Sequence, residues 1–154
     1  MILTGTPVFR ARRIEAGLMT QAEFDSATTP FDAGLGHFVQ MDKPDFIGKA
    51  AVLNQKSTGV KKRLVQFLLD DPEPMLYHNE PIWRHDEIVG YITSGMYGHT
   101  LGGAVGLGYV NAKEGVNADF IRSGRYEIEV AGRRIPATAS LRPFYDPSSE
   151  RIRC

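Results

Sequence analysis

The stretch "TSGMYGHTLGGAVGLGYV", Thr93 to Val110, decides how this chain is read. A run so rich in glycine is a phosphate-cradling loop, a catalytic loop, or a pair of strands joined by a turn. A dinucleotide-binding fingerprint needs G-x-G-x-x-G between a strand and a helix N-terminus. Here Gly106-Leu107-Gly108 is followed by Tyr109-Val110-Asn111, no G-K-[ST] occurs, and no helical segment follows directly. Strand-like runs flank the stretch on both sides. Gly103, Gly106 and Gly108 therefore read as residues that allow positive φ and close backbone approach in a tightly closed sheet.

Working outward, short apolar runs recur from residue 60 to 145 with turn residues between them: "RLVQFLL", "PIW", "EIVGYITSG", "AVGLGYV", "RYEIEVAG" and "RIPATASL". "WRHDEIVGYI" predicts a hairpin with its polar tip at Arg84-His85-Asp86-Glu87. "YEIEVAGRRIPATAS" predicts another, turning near Ala131-Gly132-Arg133. Strands at this spacing, without intervening helices, predict an antiparallel barrel or sandwich. The first third of the chain is mixed. "VFRARRIEAGLM" carries Val8, Ala11, Ile14 and Leu18 at helical steps and predicts a short amphipathic helix ending near Gly17. "TTPFDAGLGHFVQM" predicts a strand from Leu35 to Met41 after a turn at Pro30. "KPDFIGKAAVLNQKSTG" predicts a helix N-capped by Asp45 and stopped before Gly59.

Bulk properties exclude several classes. The chain has 154 residues, 42% hydrophobic and 23% charged, with 18 Lys+Arg against 18 Asp+Glu. That is ordinary for a globular protein, and zero net charge provides no long-range field to recruit nucleic acid or an anionic membrane. The longest basic run, Lys61-Lys62-Arg63, reads as a solvated edge. The single cysteine, Cys154, forms no internal disulfide and excludes zinc sites built on Cys pairs, in keeping with a reducing, cytoplasmic setting. His37, His78 and His85 show no metal-ligand spacing, so no metal is expected. No apolar run reaches the roughly 20 residues needed to span a bilayer. Asp42, Asp45, Asp70 and Asp71 occupy turn- or cap-like contexts. Trp83 and the phenylalanines read as core.

Four segments in order resemble one family, that of the glycine-cleavage T-protein. "VGYITSGMYGHTLGGAVGLGYV" is similar to the signature of its C-terminal barrel, and the Tyr97-Gly98-His99 form is closest to the folate-binding region of dimethylglycine and sarcosine dehydrogenases. "RIEAG", Arg13 to Gly17, resembles the family's R-[LI]-E-A-G. "PFDAGLGHFVQMDKPDFIGKAAVL" and "RPFYDPSSERIR" resemble two further family segments, the second from the dehydrogenase branch. The resemblance implies a mainly β fold with short helices: a remnant of an α+β folate-binding domain over residues 1–58, then an antiparallel Greek-key-type β-barrel over 59–154. It also implies tetrahydrofolate-dependent one-carbon (aminomethyl or methyl) transfer, with FAD held by an upstream domain in the dehydrogenase members.

By the same resemblance, the family's catalytic aspartate and most of its pterin pocket lie upstream of these residues. No catalytic residue is expected here, and tetrahydrofolate is not expected to bind the isolated chain. The implied partner is the missing upstream folate/dehydrogenase portion, or self-association through residues 1–30. The alternative is a stand-alone binding or assembly module, or a gene fragment, with no enzymatic activity. Arg13 matches the family's folate-site arginine, and a guanidinium suits folate carboxylates. It reads equally as a surface arginine beside Arg10 and Arg12. Tyr145 matches a tyrosine that approaches folate, or else it caps the barrel. Tyr97 and His99, expected exposed on the turn between two strands, are further candidates. After Gly17 the family has Leu-Tyr-Gly where this chain has Met19-Thr20-Gln21 and is a residue shorter.

Overall fold

The computed structural model of the chain describes residues 5–151 and Arg153. Residues 1–4, Ile152 and Cys154 lie outside that set, and with them the lone thiol and the very start of the chain. The strand that carries the opening glycines, Gly103–Asn111, is buried along its whole length except at Asn111. Val110 and Ala104 join a core with Val65, Phe67, Ile82, Ile92 and Ile128, whereas Val105 and Leu107 pack on the opposite face with Ile14. A strand covered on both faces has no need of polar alternation, which is why this segment reads as an apolar run.

The glycines make room more than they turn the chain. A Cβ on Gly108 would lie 2.7 Å from Ile82 Cδ1, and one on Gly95 would lie 2.4 Å from Leu76 Cβ. Only Gly102, in the hairpin turn, has positive φ within this stretch. Large neighbours thus fill the space that absent side chains leave, as close packing of a narrow barrel requires.

Six antiparallel strands close the barrel: β1 (Lys62–Leu69), β2 (Pro81–Arg84), β3 (Glu87–Gly98), β4 (Gly103–Asn111), β5 (Tyr126–Val130) and β6 (Arg133–Ser140). Their order is β1-β4-β3-β2-β5-β6, with β6 pairing back to β1. β2, β3 and β4 form a meander and β1 returns beside β4, a Greek-key arrangement. The barrel is thus the architecture expected. Both predicted hairpins form: Arg84 faces Glu87 across one tip, and Val130 faces Arg133 across the other.

Outside the barrel, α1 (Thr6–Glu15) starts with Pro7 in its first turn and ends ahead of Gly17, at φ 67°. It buries Ala11 and Ile14 against β3 and β4 but leaves Val8 and Leu18 exposed, so only half of the predicted stripe is used. Complete burial of Ile14 contributes about 1.5–3 kcal/mol. The strand expected from Leu35 to Met41 does not form; a 3₁₀ turn spans Gly36–Phe38 instead. Phe31 packs directly against Gly36, Gly34 takes φ 81°, and the segment pairs with no strand. α2 (Lys49–Thr58) begins four residues after Asp45, because a turn closed by Lys49 N–H to Phe46 O intervenes; Gly48, not Asp45, precedes it. It does stop before Gly59.

A helix was missed: α3 (Ala118–Ser123), between β4 and β5, where Asn117 accepts from Phe120 N–H at 2.7 Å. Six residues are too short for periodicity to report. Trp83 and several phenylalanines are not core. Trp83 donates to Glu129 at 2.9 Å under the Arg134 guanidinium, and Phe9, Phe24 and Phe38 are exposed. The basic run is not simply solvated either. Lys62 reaches Asp25 and Thr28 from over the Tyr109 ring, and Arg63 donates to Phe31 O at 2.7 Å, so both tie residues 25–34 to β1.

Candidate functional site

The R-I-E-A-G segment sits where α1 ends against β3 and β4, and its two charged residues face different partners. Arg13 is buried. Its guanidinium donates to Glu23 Oε2 at 2.9 Å, to Ser94 Oγ at 2.7 Å and to Leu18 O at 3.2 Å. A shift of register between Ile92 and Ser94 leaves Thr93 as the extra residue of a β-bulge. Consecutive strand residues ordinarily point to opposite faces. Across this bulge both hydroxyls reach the pair, with Thr93 Oγ1 3.1 Å from Glu23 Oε1. Burial alone would raise the Glu23 carboxyl. Hydrogen bonds from Ser94, the Thr20 amide and Thr93, with the Arg13 charge, outweigh it and hold the group below the usual glutamate range. Tyr109 donates to Glu23 O at 2.7 Å, and burial pushes its phenol up to about 12.

Glu15 is also buried, and points the other way along the barrel. Its Oε1 accepts from the backbone N–H of Thr100 (2.6 Å) and Leu101 (3.2 Å), and its Oε2 from the Thr100 hydroxyl (3.2 Å) and Arg12 (3.4 Å). Its carbonyl accepts from Tyr145 N–H at 3.3 Å and from Gln66 Nε2 at 3.2 Å. Gln66, buried in the apolar run of β1, bridges further: it donates to Ile14 O and accepts from Phe144 N–H at 2.7 Å. The end of α1, the β3–β4 turn and the segment 143–145 are thereby joined around one residue.

The sequence-derived candidates fall on this junction in unequal ways. Tyr97 lies within β3, half-buried, and not on the turn; His99 is in the turn and exposed. Their rings meet edge-on at 5.1 Å. Tyr145 is half-buried, 5.5 Å beneath the Arg151 guanidinium, which also approaches its hydroxyl at 3.4 Å. Tyr97 and His99 flank Gly98, whose Cα faces the Glu15 carboxylate; Tyr145 is held through the Glu15 carbonyl. Arg13 lies one residue away in sequence, but its guanidinium is taken up by Glu23 and Ser94. Glu15, Glu23, Gln66 and Ser94 were not singled out from the sequence. The available signals were a lone polar residue in "RLVQFLL" and the acid inside "RIEAG".

An open cavity of about 1200 Å³ is lined among others by Lys61, Arg84, Tyr91, Asn111 and Phe120, away from Tyr97, His99 and Tyr145. Among the described residues no group of three or more His, Cys, Asp or Glu is placed to hold a metal, and no helix is long and apolar enough to cross a membrane.

A closed Greek-key barrel clasped by the helix that carries R-I-E-A-G defines a recognisable class. Residues 62–146 match the family described as the glycine cleavage T-protein C-terminal barrel domain, and the chain belongs to that family. It is 44% identical over 125 residues to a 4-methylaminobutanoate oxidase (formaldehyde-forming) of Paenarthrobacter nicotinovorans, covering 80% of this chain and 14% of the oxidase. It is 38% identical over 135 residues to an aminomethyltransferase of Thermosynechococcus vestitus, covering 86% of this chain and 35% of the relative. The crystal structure of the glycine cleavage system aminomethyltransferase T from Bartonella henselae shares the fold, with a TM-score of 0.75 at 24% identity over 90% of this chain and 38% of that one. The chain thus spans between about a seventh and two fifths of the proteins it matches.

Proposed function

We propose that this chain forms one wall of a tetrahydrofolate site in a one-carbon-transfer protein, an aminomethyltransferase or a demethylating dehydrogenase of the dimethylglycine or sarcosine kind, and that the groups performing the chemistry come from other parts of that protein. Residues 1–58 then belong to the folate-binding domain and 59–154 to the barrel that closes it, in a cytoplasmic protein. The observation that carries this reading is the junction at Glu15, whose carboxylate holds the turn that follows Tyr97 and contains His99, and whose carbonyl receives Tyr145 N–H. The similarity to an aminomethyltransferase over nearly the whole chain supports it.

The residues suit such a ligand. Aromatic rings offer faces for a flat heterocycle, while the Tyr145 hydroxyl and the His99 imidazole add hydrogen-bonding capacity at its rim. When bound, tetrahydrofolate supplies the nitrogen that accepts the one-carbon unit. The protein residues orient it and shield it from water. Arg13 contributes chiefly by holding β3 in place, since direct contact with a folate carboxylate requires exchange of its Glu23 partner. FAD, in this reading, belongs to an upstream part of dehydrogenase relatives. The exposed face formed by Val8, Phe9, Leu18 and Phe24 receives the upstream portion.

Titration of the isotopically labelled chain with tetrahydrofolate, followed by amide and aromatic NMR shifts, tests the assignment. Shifts at Tyr97, His99 and Tyr145 are expected, weak in affinity because part of the pocket is supplied elsewhere. No shift at saturating ligand, or shifts confined to the cavity around Arg84 and Tyr91, would overturn it.

A further inference from the structure

We infer that Glu15 is a positioning residue: its carboxylate sets the conformation of the β3–β4 turn, and so the placement of Tyr97 and His99 relative to Tyr145. The inference rests on the folate-wall reading for its functional meaning, but its structural basis stands independently. The turn has little intrinsic preference. Gly98, Gly102 and Gly103 bracket it, and glycine carries the largest backbone freedom of any residue. Within it, Leu101 and Gly102 N–H both bond to Gly98 O, leaving the Thr100 amide without an acceptor inside the turn. Thr100 has its acceptor in Glu15, and Leu101 shares that carboxylate.

Several features mark the arrangement as built. The carboxylate is buried yet saturated: two amides, one hydroxyl and one guanidinium surround it. Bonds from amides to a buried anion are among the stronger ones, because the charge is poorly solvated otherwise. Gly98 leaves room beside it, since a Cβ there would crowd Oε1 and Val105 Cγ1, each at 3.1 Å. The carbonyl of Glu15 receives Tyr145 N–H and Gln66 Nε2. One residue therefore ties together the two segments that carry the candidate residues, the turn through its side chain and the C-terminal segment through its backbone. Arg12 lies mostly in solvent and closes the carboxylate from outside by reaching Thr100 Oγ1 as well.

Glu15→Gln and Glu15→Ala, with Arg12→Ala as a control, separate positioning from general stability. Amide hydrogen exchange of Thr100 should accelerate about ten- to hundredfold in Glu15→Ala, and that of Leu101, which keeps Gly98 O as acceptor, by less. Glu15→Gln, which keeps one acceptor, should accelerate less. Exchange in the β1–β4 ladder should be unchanged in Glu15→Gln, and Arg12→Ala should leave the turn amides protected. In parallel, the tetrahydrofolate-induced shifts at Tyr97 and His99 should weaken in Glu15→Gln at unchanged melting temperature. Unaltered turn exchange in Glu15→Gln and Glu15→Ala overturns the inference, as does equal acceleration throughout the barrel. If Glu15→Ala does not fold, Glu15→Gln alone decides by the same readout. Absence of ligand shifts in the unsubstituted chain sinks the folate-wall reading instead, and leaves the exchange result to judge Glu15.

Discussion

At the scale of single residues, a few charges are buried, and two of them meet each other. Arg13 and Glu23 form an ion pair with both side chains almost fully enclosed, 2.9 Å apart. Such a pair contributes little when intact but is costly to break, because the survivor is left charged and unsolvated. Glu23→Ala should therefore lower stability by about 3–5 kcal/mol, measured by urea unfolding; a loss near that of a surface substitution would contradict the pairing. The pH dependence follows from the same carboxyl. Its folded-state pKa is depressed, so its contribution is fully present above the ordinary glutamate range and is lost as pH falls through the lower folded value. Glu23→Gln should accordingly flatten the acid limb of the stability–pH curve. In the sequence Arg13 stands out only as the match to the family's folate-site arginine, and Glu23 as an ordinary charge. Nothing local to "RIEAG" or to "TQAEF" says that they meet, since β3 and its bulge bring them together.

At the scale of elements, strands were legible and helix ends less so. The six apolar runs mark β1 to β6 because barrel strands must be apolar on at least one face, and that requirement is local in sequence. The turn between β5 and β6 was legible too. Ala131 and Gly132 both have positive φ, 49° and 78°, the conformation of a two-residue hairpin loop. Alanine pays a steric penalty there that asparagine largely avoids, so Ala131→Asn should raise stability by about 0.5–1 kcal/mol. Thermal unfolding checks this, and an unchanged or lower midpoint would mean that the turn relaxes some other way. The strand expected at Leu35–Met41 failed for a reason outside the segment: a strand exists only with a partner, and no barrel edge is open to it.

At the scale of the molecule, the barrel is self-sufficient and the first third is not. α1 covers β3 and β4 with Ala11 and Ile14, but its outer face leaves Phe9 67% exposed, and Leu18 just beyond it is 61% exposed. Ile47 and Phe38 are similarly bare, and α2 buries no residue at all. Apolar area of this kind marks an interaction surface or an association hazard. Sedimentation over a dilution series should show concentration-dependent self-association of the chain, and a Phe9→Ser, Leu18→Ser double variant should move it toward monomer. A concentration-independent monomer in the unsubstituted chain would remove the case for self-association through this face.

What the sequence determined by itself was the alternation of apolar runs and turns, hence an antiparallel barrel or sandwich, and the family motifs spaced along it, whose resemblance implies the barrel. Those signals are local: each strand, turn and motif needs only its own residues to be read. The tertiary structure alone decided which polar residues are structural and which remain available. Arg13 is spent on Glu23, Glu15 on the β3–β4 turn, and Gln66 on the backbone of two distant segments. Apart from the Arg13–Glu23 pair, ten positions apart, that division depends on hydrogen bonds between residues 51 to 86 positions apart. Burial makes each such bond obligatory only once the chain has closed on itself.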